Sequence, residues 1–390
     1  MRAFLIVLDG VGIGALPDAA TYGEADARAN TLAHVAEVAD GLKLPHLESL
    51  GLGQLGKFQG IPPTMSPGGA FGRLTELSKG KDSTTGHWEF VGLVQERAFP
   101  TYPHGFPDEL LERIGRRIEH EWIGNVPASG TDIITRLGEQ HQKSGKLIVY
   151  TSADSVFQIA AHESTLPLDR LYEFCRIARE ELTGPHAVGR VIARPFTGTP
   201  GAYVRTANRR DFSLVPPRAT LLDLLAKQGH SVTTVGKVDD LFAGRGVTQA
   251  IHTHDNAEGQ ELLLDLCKRS GEGLVFANLV DFDTQYGHRN DPKGFAAALE
   301  SFDRTLGELL SRLRSDELCM VTADHGNDPT TPGTDHTREF TPLLVAGPRV
   351  RAGRDLGTRE TFADVGATLA ELFSVERLPW GTSFLKEIRG

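Results

Sequence analysis

Cysteine is scarce in this chain: Cys175, Cys267 and Cys319 are the three thiols in 390 residues, and none is placed to form a CxxC pair. A disulfide framework and a cysteine-rich zinc site are therefore not expected, and a reducing cytoplasm is the natural compartment. Positive charge is also in short supply. Lys and Arg number 41 against 51 Asp and Glu, a formal net charge of −10, and no basic tail or run stands out. Such a balance argues against general binding to nucleic acid or an anionic membrane. Any anionic substrate must then be held by local features, such as a metal or a few arginines. No apolar run is long enough to span a bilayer, and the opening stretch MRAFLIVLDG is too short for a signal-peptide core. Internal repeats and low-complexity segments are missing as well, and nothing points to a protein partner. The expectation is a soluble cytoplasmic protein.

With hydrophobic residues at 39% and charged residues at 24%, the composition is that of a globular protein, and the length suits two or three domains. Short runs rich in Val, Ile and Leu read as buried strands: 3–9, 146–154, 231–236, 273–283 and 318–324. Helical patterns separate most of them. The clearest covers 294–313, where Phe295, Leu299, Phe302, Leu306, Leu309 and Leu313 recur every three or four residues behind Asp291 and Pro292, a capping residue and a first-turn proline. TLLDLLAKQG and AEGQELLLDLCKRSG each read as a helix with a glycine stop. This alternation predicts an α/β fold with a parallel sheet covered on both faces. Proline clusters near 98–110 and 213–220 bracket a segment with its own helices and apolar run. Residues 100–215 therefore read as a second domain inserted into a core formed by 1–99 and 216–390.

Three predicted core strands end in aspartate: Asp9, Asp283 and Asp324. Ligands of open parallel sheets bind at the carboxyl ends of the strands, so these side chains should converge. Three neighbouring carboxylates repel one another unless protons or cations intervene, and the adjoining histidines decide between the two. His288 follows Asp283 by five residues, His325 is next to Asp324, and His336 lies beyond a loop with two prolines and two glycines. Three carboxylates and three imidazoles suffice for two divalent cations with positions open to substrate. Mixed oxygen and nitrogen donors suit manganese or zinc better than calcium. Any one of these residues alone reads as well as a helix cap or a hydrogen-bonded core group; six together do not.

Paired metals recur in phosphoryl transfer, which directs attention to SKGKDSTTGHWE at 78–89. Ser83, Thr84 and Thr85 lie where a turn or helix start would expose a hydroxyl, and the competing reading is that Ser83 or Thr84 caps the following helix. The same segment fails as a phosphate-binding P-loop, because Asp82 stands where Ser or Thr is required and Thr75 where glycine is required. GVGIGA at 10–15 fits a dinucleotide fingerprint loosely, but no suitable helix follows it. In the inserted segment, Arg190, Arg194, Arg205, Arg209 and Arg210 cluster against the acidic background and could grip a phosphate; arginine-rich surfaces are also common. Lys237 ends a core strand, where an ion pair with Asp239 or Asp240 would explain it equally well. Ser152 and Asp154 end the strand near 146–154, suited either to sugar hydroxyls or to capping.

GKDSTTGHWE, YTSADSVFQIAAHE, VGRVIARPF, NLVDFDTQYGH and ADHGNDPTTPGTDHTRE together resemble the bacterial phosphopentomutases of the alkaline phosphatase superfamily, from Asp9 to the GTSFL segment near the carboxyl terminus. The resemblance implies an alkaline-phosphatase-like core, with a mostly parallel sheet flanked by helices, and an inserted smaller α+β cap domain. It implies interconversion of ribose 1-phosphate and ribose 5-phosphate, and of the 2-deoxyribose equivalents, with two manganese ions and a sugar bisphosphate activator. Carried over position by position, Asp9, Asp324 and His325 would serve one metal and Asp283, His288 and His336 the other. Ser83 would be the phosphorylated nucleophile, where the family usually has threonine. Arg190, Arg205 and Lys237 would hold the distal phosphate, while Ser152, Asp154, Val156 and Ile192 would line the sugar site, under a cap that excludes water. The family's GHRRD reads GHRND here, at Asn290. Two rival readings remain: a metal-dependent phosphatase with the same core, and a non-catalytic phosphosugar-binding module.

Overall fold

A computed structural model describes residues 1–152 and 155–389. The chain divides into two compact units, one of Met1–Ala98 with Pro216–Gly390 and the other of Phe99–Val215. The first is built on an eight-stranded sheet. Its order across the sheet is Gln249–Ile251, Val232–Val235, Gly273–Leu279, Arg2–Leu8, Glu317–Thr322, Thr341–Ala346, Ala70–Leu74 and Arg354–Arg359. Neighbouring strands are parallel, except that Thr341–Ala346 runs against both of its neighbours. The three strands that precede Asp283, Asp9 and Asp324 are buried along their whole length and lie side by side at the centre. Full burial on both faces is why they read as unbroken apolar runs.

Strands at the sheet margin carry no such signal. Gln249–Ile251 and Arg354–Arg359 are edge strands with mostly exposed side chains, and Ala70–Leu74 contains Gly72 and Arg73. Central strands also stop earlier than their sequence runs suggest. Gly273–Leu279 ends at Leu279, and Phe282–Tyr286 is already a helical turn that includes Asp283.

The helix Pro292–Arg312 begins as its sequence predicts, with the Asp291 carboxylate accepting from the Gly294 amide and Pro292 in the first turn. Phe295, Leu299, Phe302, Leu306 and Leu309 are all buried in the main core. Burial of five such side chains contributes on the order of 10 kcal/mol before the entropy of ordering is subtracted. Thr220 and Asp223 form a capping box at the start of Leu221–Lys227, and Gly229 follows that helix with φ of +81°. Asn256–Lys268 differs: its last turn ends at Arg269 in extended backbone, so Gly271 is not its stop.

The second unit holds a mixed six-stranded sheet. Val156–His162 pairs in parallel with Arg190–Thr197 and antiparallel with Leu147–Thr151. Helices Asp108–Ile118 and Leu168–Glu181 cover one face through Phe157, Ile159, Val191 and Ala193, while Gly130–Ser144 covers the other through Ile148, Tyr150 and Phe196. This is the α+β arrangement expected of the inserted segment. Among the described residues, no helix is long and apolar enough to cross a membrane.

At the amino ends of the central strands, away from the aspartates, Arg2 and Glu317 form a buried ion pair at 2.5 Å. Arg2 also donates to the carbonyls of Leu266 and Arg269. Removing one partner would strand a buried charge, at a cost of about 3 kcal/mol or more. Glu317→Gln is therefore expected to lower the denaturant midpoint with little change in slope, and an unaltered midpoint would show that the pair does not hold these strands.

Candidate active site

Parallel register brings the three aspartates to one edge. Leu8 lies opposite Leu279 on one side, and Val7 opposite Thr322 on the other, so Asp9 and Asp324 leave their strands at the same level. Six side chains then gather into two groups: Asp9, Asp324 and His325, and Asp283, His288 and His336. Within each, one potential donor atom per residue lies within 4.8 Å of the others. All six side chains are buried except His288, which is partly exposed.

The histidine tautomers follow from their outer contacts. His325 Nδ1 lies 3.0 Å from the Gly326 carbonyl, and His288 Nδ1 lies 2.6 Å from that of Thr334. A carbonyl can only accept, so both Nδ1 atoms carry a proton and donate outward, and both Nε2 atoms, the ones left to meet a proton or a cation, face the carboxylates. His325 Nε2 is 3.3 Å from Asp9 Oδ1; His288 Nε2 is 3.1 Å from Asp283 Oδ2. His336 Nε2 stands 3.2 Å from Asp283 Oδ1 and 3.2 Å from His288 Nε2. Two ring nitrogens facing each other across that gap require a proton or a cation between them.

Protein charges alone leave the cluster strained. Burial, reinforced by Asp324 and Asp283, pushes the Asp9 carboxyl above its ordinary range. Burial would depress His325, but Asp324 and Asp9 outweigh it and hold the imidazole well above its ordinary value. Burial would likewise raise Asp283, yet His336 and His288 hold it well below. The buried Asp324 Oδ2 accepts no hydrogen bond among the described residues. His87 Nδ1 is 3.2 Å from that oxygen, but its proton serves the Ser83 carbonyl at 2.8 Å. An orphaned carboxylate oxygen, facing imidazoles and a mixed oxygen and nitrogen donor set fit two divalent cations. One would be held by Asp9, Asp324 and His325, the other by Asp283, His288 and His336.

Ser83 opens the helix Ser83–Phe90, and the cap is Asp82, whose carboxylate accepts from the Thr85 amide. Thr85 spends its hydroxyl on Asp82 at 2.6 Å, and Thr84 is buried. Ser83 Oγ sits 3.2 Å from His325 Nε2 and 3.5 Å from Asp9 Oδ1. The helix can come this close because residue 86 is glycine: a Cβ there would lie 2.3 Å from the Asp324 carbonyl oxygen.

The other expected contacts are distributed over both units. Lys237 is exposed at the end of Val232–Val235 in the first unit, and Asp239 pairs with His252 at 3.2 Å. In the second unit, Val156 pairs with Arg190 in register, and Gln158 with Ile192. Val156 and Ile192 are buried, Ser152 and Arg190 half-buried, and Arg205 exposed. Asp154 lies outside the described residues. Residues that the sequence reading overlooked support the carboxylates. Asn278 donates to Asp9 Oδ2 at 2.8 Å and Asn327 to Asp283 Oδ1 at 2.6 Å. A polar residue inside the apolar run VFANLV was the available sign of the first.

The fold and this paired cluster define a metal-dependent enzyme. Residues 1–377 match the metalloenzyme superfamily, and the chain belongs to it. Within that class it belongs to the phosphopentomutase family. It is 56% identical to the phosphopentomutase of Caldanaerobacter subterraneus subsp. tengcongensis over 387 residues, covering 99% of this chain and 98% of the relative. Its identity to the Clostridium novyi phosphopentomutase is 54% over 387 residues, 99% of each chain. The fold is also similar to that of the PH0037 protein from Pyrococcus horikoshii, at TM-score 0.50 and 16% identity, covering 97% of this chain and 99% of that one. Leishmania mexicana phosphoglycerate mutase gives TM-score 0.50 at 12% identity, covering 98% and 96%.

Two outcomes are expected. Gly86→Ala must push the helix from Asp324 and displace Ser83, so turnover should drop about 10²-fold, the scale set by misplacement near 1 Å. Unchanged kinetics would show that this close packing does not set the position of Ser83. In chelated protein, the raised His325 contributes stability that is complete below its unfolded value of about 6.5 and is lost as pH rises through the folded value. Melting temperature should therefore decline on the alkaline side, and divalent cation should remove the decline. A flat profile for chelated protein would contradict the assignment.

Proposed function

We infer that the protein is an isomerase that moves a phosphoryl group between positions of a pentose phosphate, interconverting ribose 1-phosphate and ribose 5-phosphate and their 2-deoxy equivalents. The observation that carries this reading is the proximity of Ser83 Oγ to Asp9 and His325 beside a second carboxylate–imidazole group, in a chain of the phosphopentomutase family.

In the proposed cycle, a phosphoryl group on Ser83 Oγ passes to the free hydroxyl of a bound pentose phosphate, whose proton is released as the new P–O bond forms. The resulting bisphosphate turns round, and its other phosphoryl group returns to Ser83. The sugar leaves carrying one phosphate at the new position. The helix beginning at Ser83 favours negative charge on that residue through its amino-terminal amides. Bound divalent cations, for which we propose manganese, supply charge neutralisation at phosphorus and make a hydroxyl oxygen easier to deprotonate. Arg190, Arg205 and Lys237 are proposed to hold the phosphate that is not reacting. Ser152, Asp154, Val156 and Ile192 are proposed to face the sugar, and a sugar bisphosphate is proposed to charge Ser83. We place the protein in the cytoplasm on its charge and cysteine content.

Incubation with ribose 1-phosphate and manganese should yield ribose 5-phosphate; free phosphate as the main product would instead identify a phosphatase. Intact-mass analysis of protein treated with sugar bisphosphate should show one added phosphoryl group; Ser83→Ala should abolish it and lower turnover by several orders of magnitude, whereas Ser83→Thr should retain both. Full activity in Ser83→Ala would remove Ser83 from its role.

A further inference from the structure

Asn290, one residue beyond the turn Gly287–Arg289, has no assigned part in this site, yet its geometry is specific. Its backbone is left-handed, with φ of 51° and ψ of 44°. Asparagine tolerates that conformation better than most side chains other than glycine. Its amide nitrogen lies 3.2 Å from the Pro329 carbonyl, 3.3 Å from that of Thr331 and 2.9 Å from that of Gly333. Two amide protons are thus shared among three acceptors along one loop. The same short turn carries His288, whose Nδ1 donates to the Thr334 carbonyl of that loop at 2.6 Å. The loop is exposed at Thr330 and from Pro332 to Asp335, then enters the interior at His336.

These contacts form a closed chain. Asn290 gathers the loop carbonyls, the loop's Thr334 carbonyl fixes the tautomer and rotation of His288, and its last residue delivers His336. Lys81 pairs with Asp335 at 3.1 Å, and the Thr330 and Thr331 hydroxyls donate to Asp328, but the exposed arc between them has little buried apolar surface to hold its carbonyls in place. We propose that Asn290 is a positioning residue for the second metal set, orienting His288 and His336 through loop 329–335 without touching the ion. The proposal rests on the dimetal reading of the site.

Asn290→Gly separates the two properties of the residue, since glycine keeps the left-handed backbone and loses the amide. Asn290→Asp keeps the shape but turns a carboxylate toward three carbonyl oxygens. The position is exposed, so both variants should fold. Calorimetric titration of the chelated full chain with manganese should show two ions in the wild type. In Asn290→Gly, one ion should bind unchanged and the other should weaken roughly 10–100-fold, the range found when an outer partner of a metal ligand is lost. Asn290→Asp should weaken that same ion at least as much. Amide exchange measured without metal should quicken at Thr330, Thr331 and 333–335 in both variants, and nowhere in the central strands.

Wild-type affinity for both ions in Asn290→Gly would overturn the proposal, as would unchanged loop exchange. Equal weakening of both ions would overturn it too, because that marks general destabilisation. Wild-type protein that binds fewer than two ions is a separate result, which would sink the dimetal reading and this proposal with it.

Discussion

Three carboxylates at the carboxyl ends of adjacent parallel strands set the constraint that the rest of this site answers. Two of them, Asp9 and Asp324, belong to a group whose donor atoms fall within 4.8 Å of one another, where like charges repel by about 3.5 kcal/mol at an effective dielectric constant of 20. The sheet provides no way to separate them, because the register of its central strands is fixed by apolar packing on both faces. Counter-charge must therefore arrive from the loops. His325 and His336 come from the segment after Glu317–Thr322 and His288 from the turn after Asp283, while the amides of Asn278, Asn327 and Gly10 donate to Asp9, Asp283 and Asp324 and leave Asp324 Oδ2 to a cation. The demand that this cluster makes on its surroundings explains why so many polar groups are buried at one edge of the sheet.

The residues that close the metal loop, Thr337, Arg338 and Glu339, have a structural task of a different kind. Arg338 is almost fully buried, donating to Glu76 and Asp18 and to the Gly80 carbonyl, just before the helix that carries Ser83. Glu339 accepts from the amides of Gly14 and Thr31 and from the hydroxyls of Thr31 and Thr337. Burial pushes the Glu339 carboxyl up, and those hydrogen bonds oppose the rise. His336 is thus fastened from its carboxyl side to the loops after Arg2–Leu8 and before Ser83. Its amino side remains the exposed arc that Asn290 and His288 hold. One end of the loop is set by buried charge and the other by shared hydrogen bonds at the surface.

What the sequence disclosed follows the same physics. Apolar runs locate strands buried on both faces, and a terminal aspartate on each of three runs locates the sheet edge, so the fold class and the six clustered residues are legible without coordinates. Edge strands such as Gln249–Ile251 are not, because half-exposed pairing leaves no apolar signature. Supporting amides escape for another reason. Asn278 and Asn327 each support a carboxylate through one side-chain hydrogen bond; the first shows only as a polar residue within an apolar run, and nothing in residue type or spacing distinguishes the second from an ordinary asparagine. Asn290 drew notice as a departure from the resembled motif, but its consequence needed the three carbonyl distances.

Among the three consecutive hydroxyls, local helix chemistry selects one. A helix amino terminus leaves amides in need of acceptors, and here Asp82 satisfies one with its side chain while also binding the Thr85 hydroxyl. With Asp82 as the cap, Ser83 and Thr84 are released from that duty. Thr84 turns into the interior, so the first helical residue alone keeps a hydroxyl beside Asp9 and His325. Serine would fill the proposed role as well as threonine, because the position calls for an oxygen at the helix start. Burial of a neighbouring methyl group does not enter into it. The same logic makes Asp82 consequential although it touches neither His325 nor Asp9. Replace it with alanine, and the competing use of Ser83 or Thr84 as a cap returns.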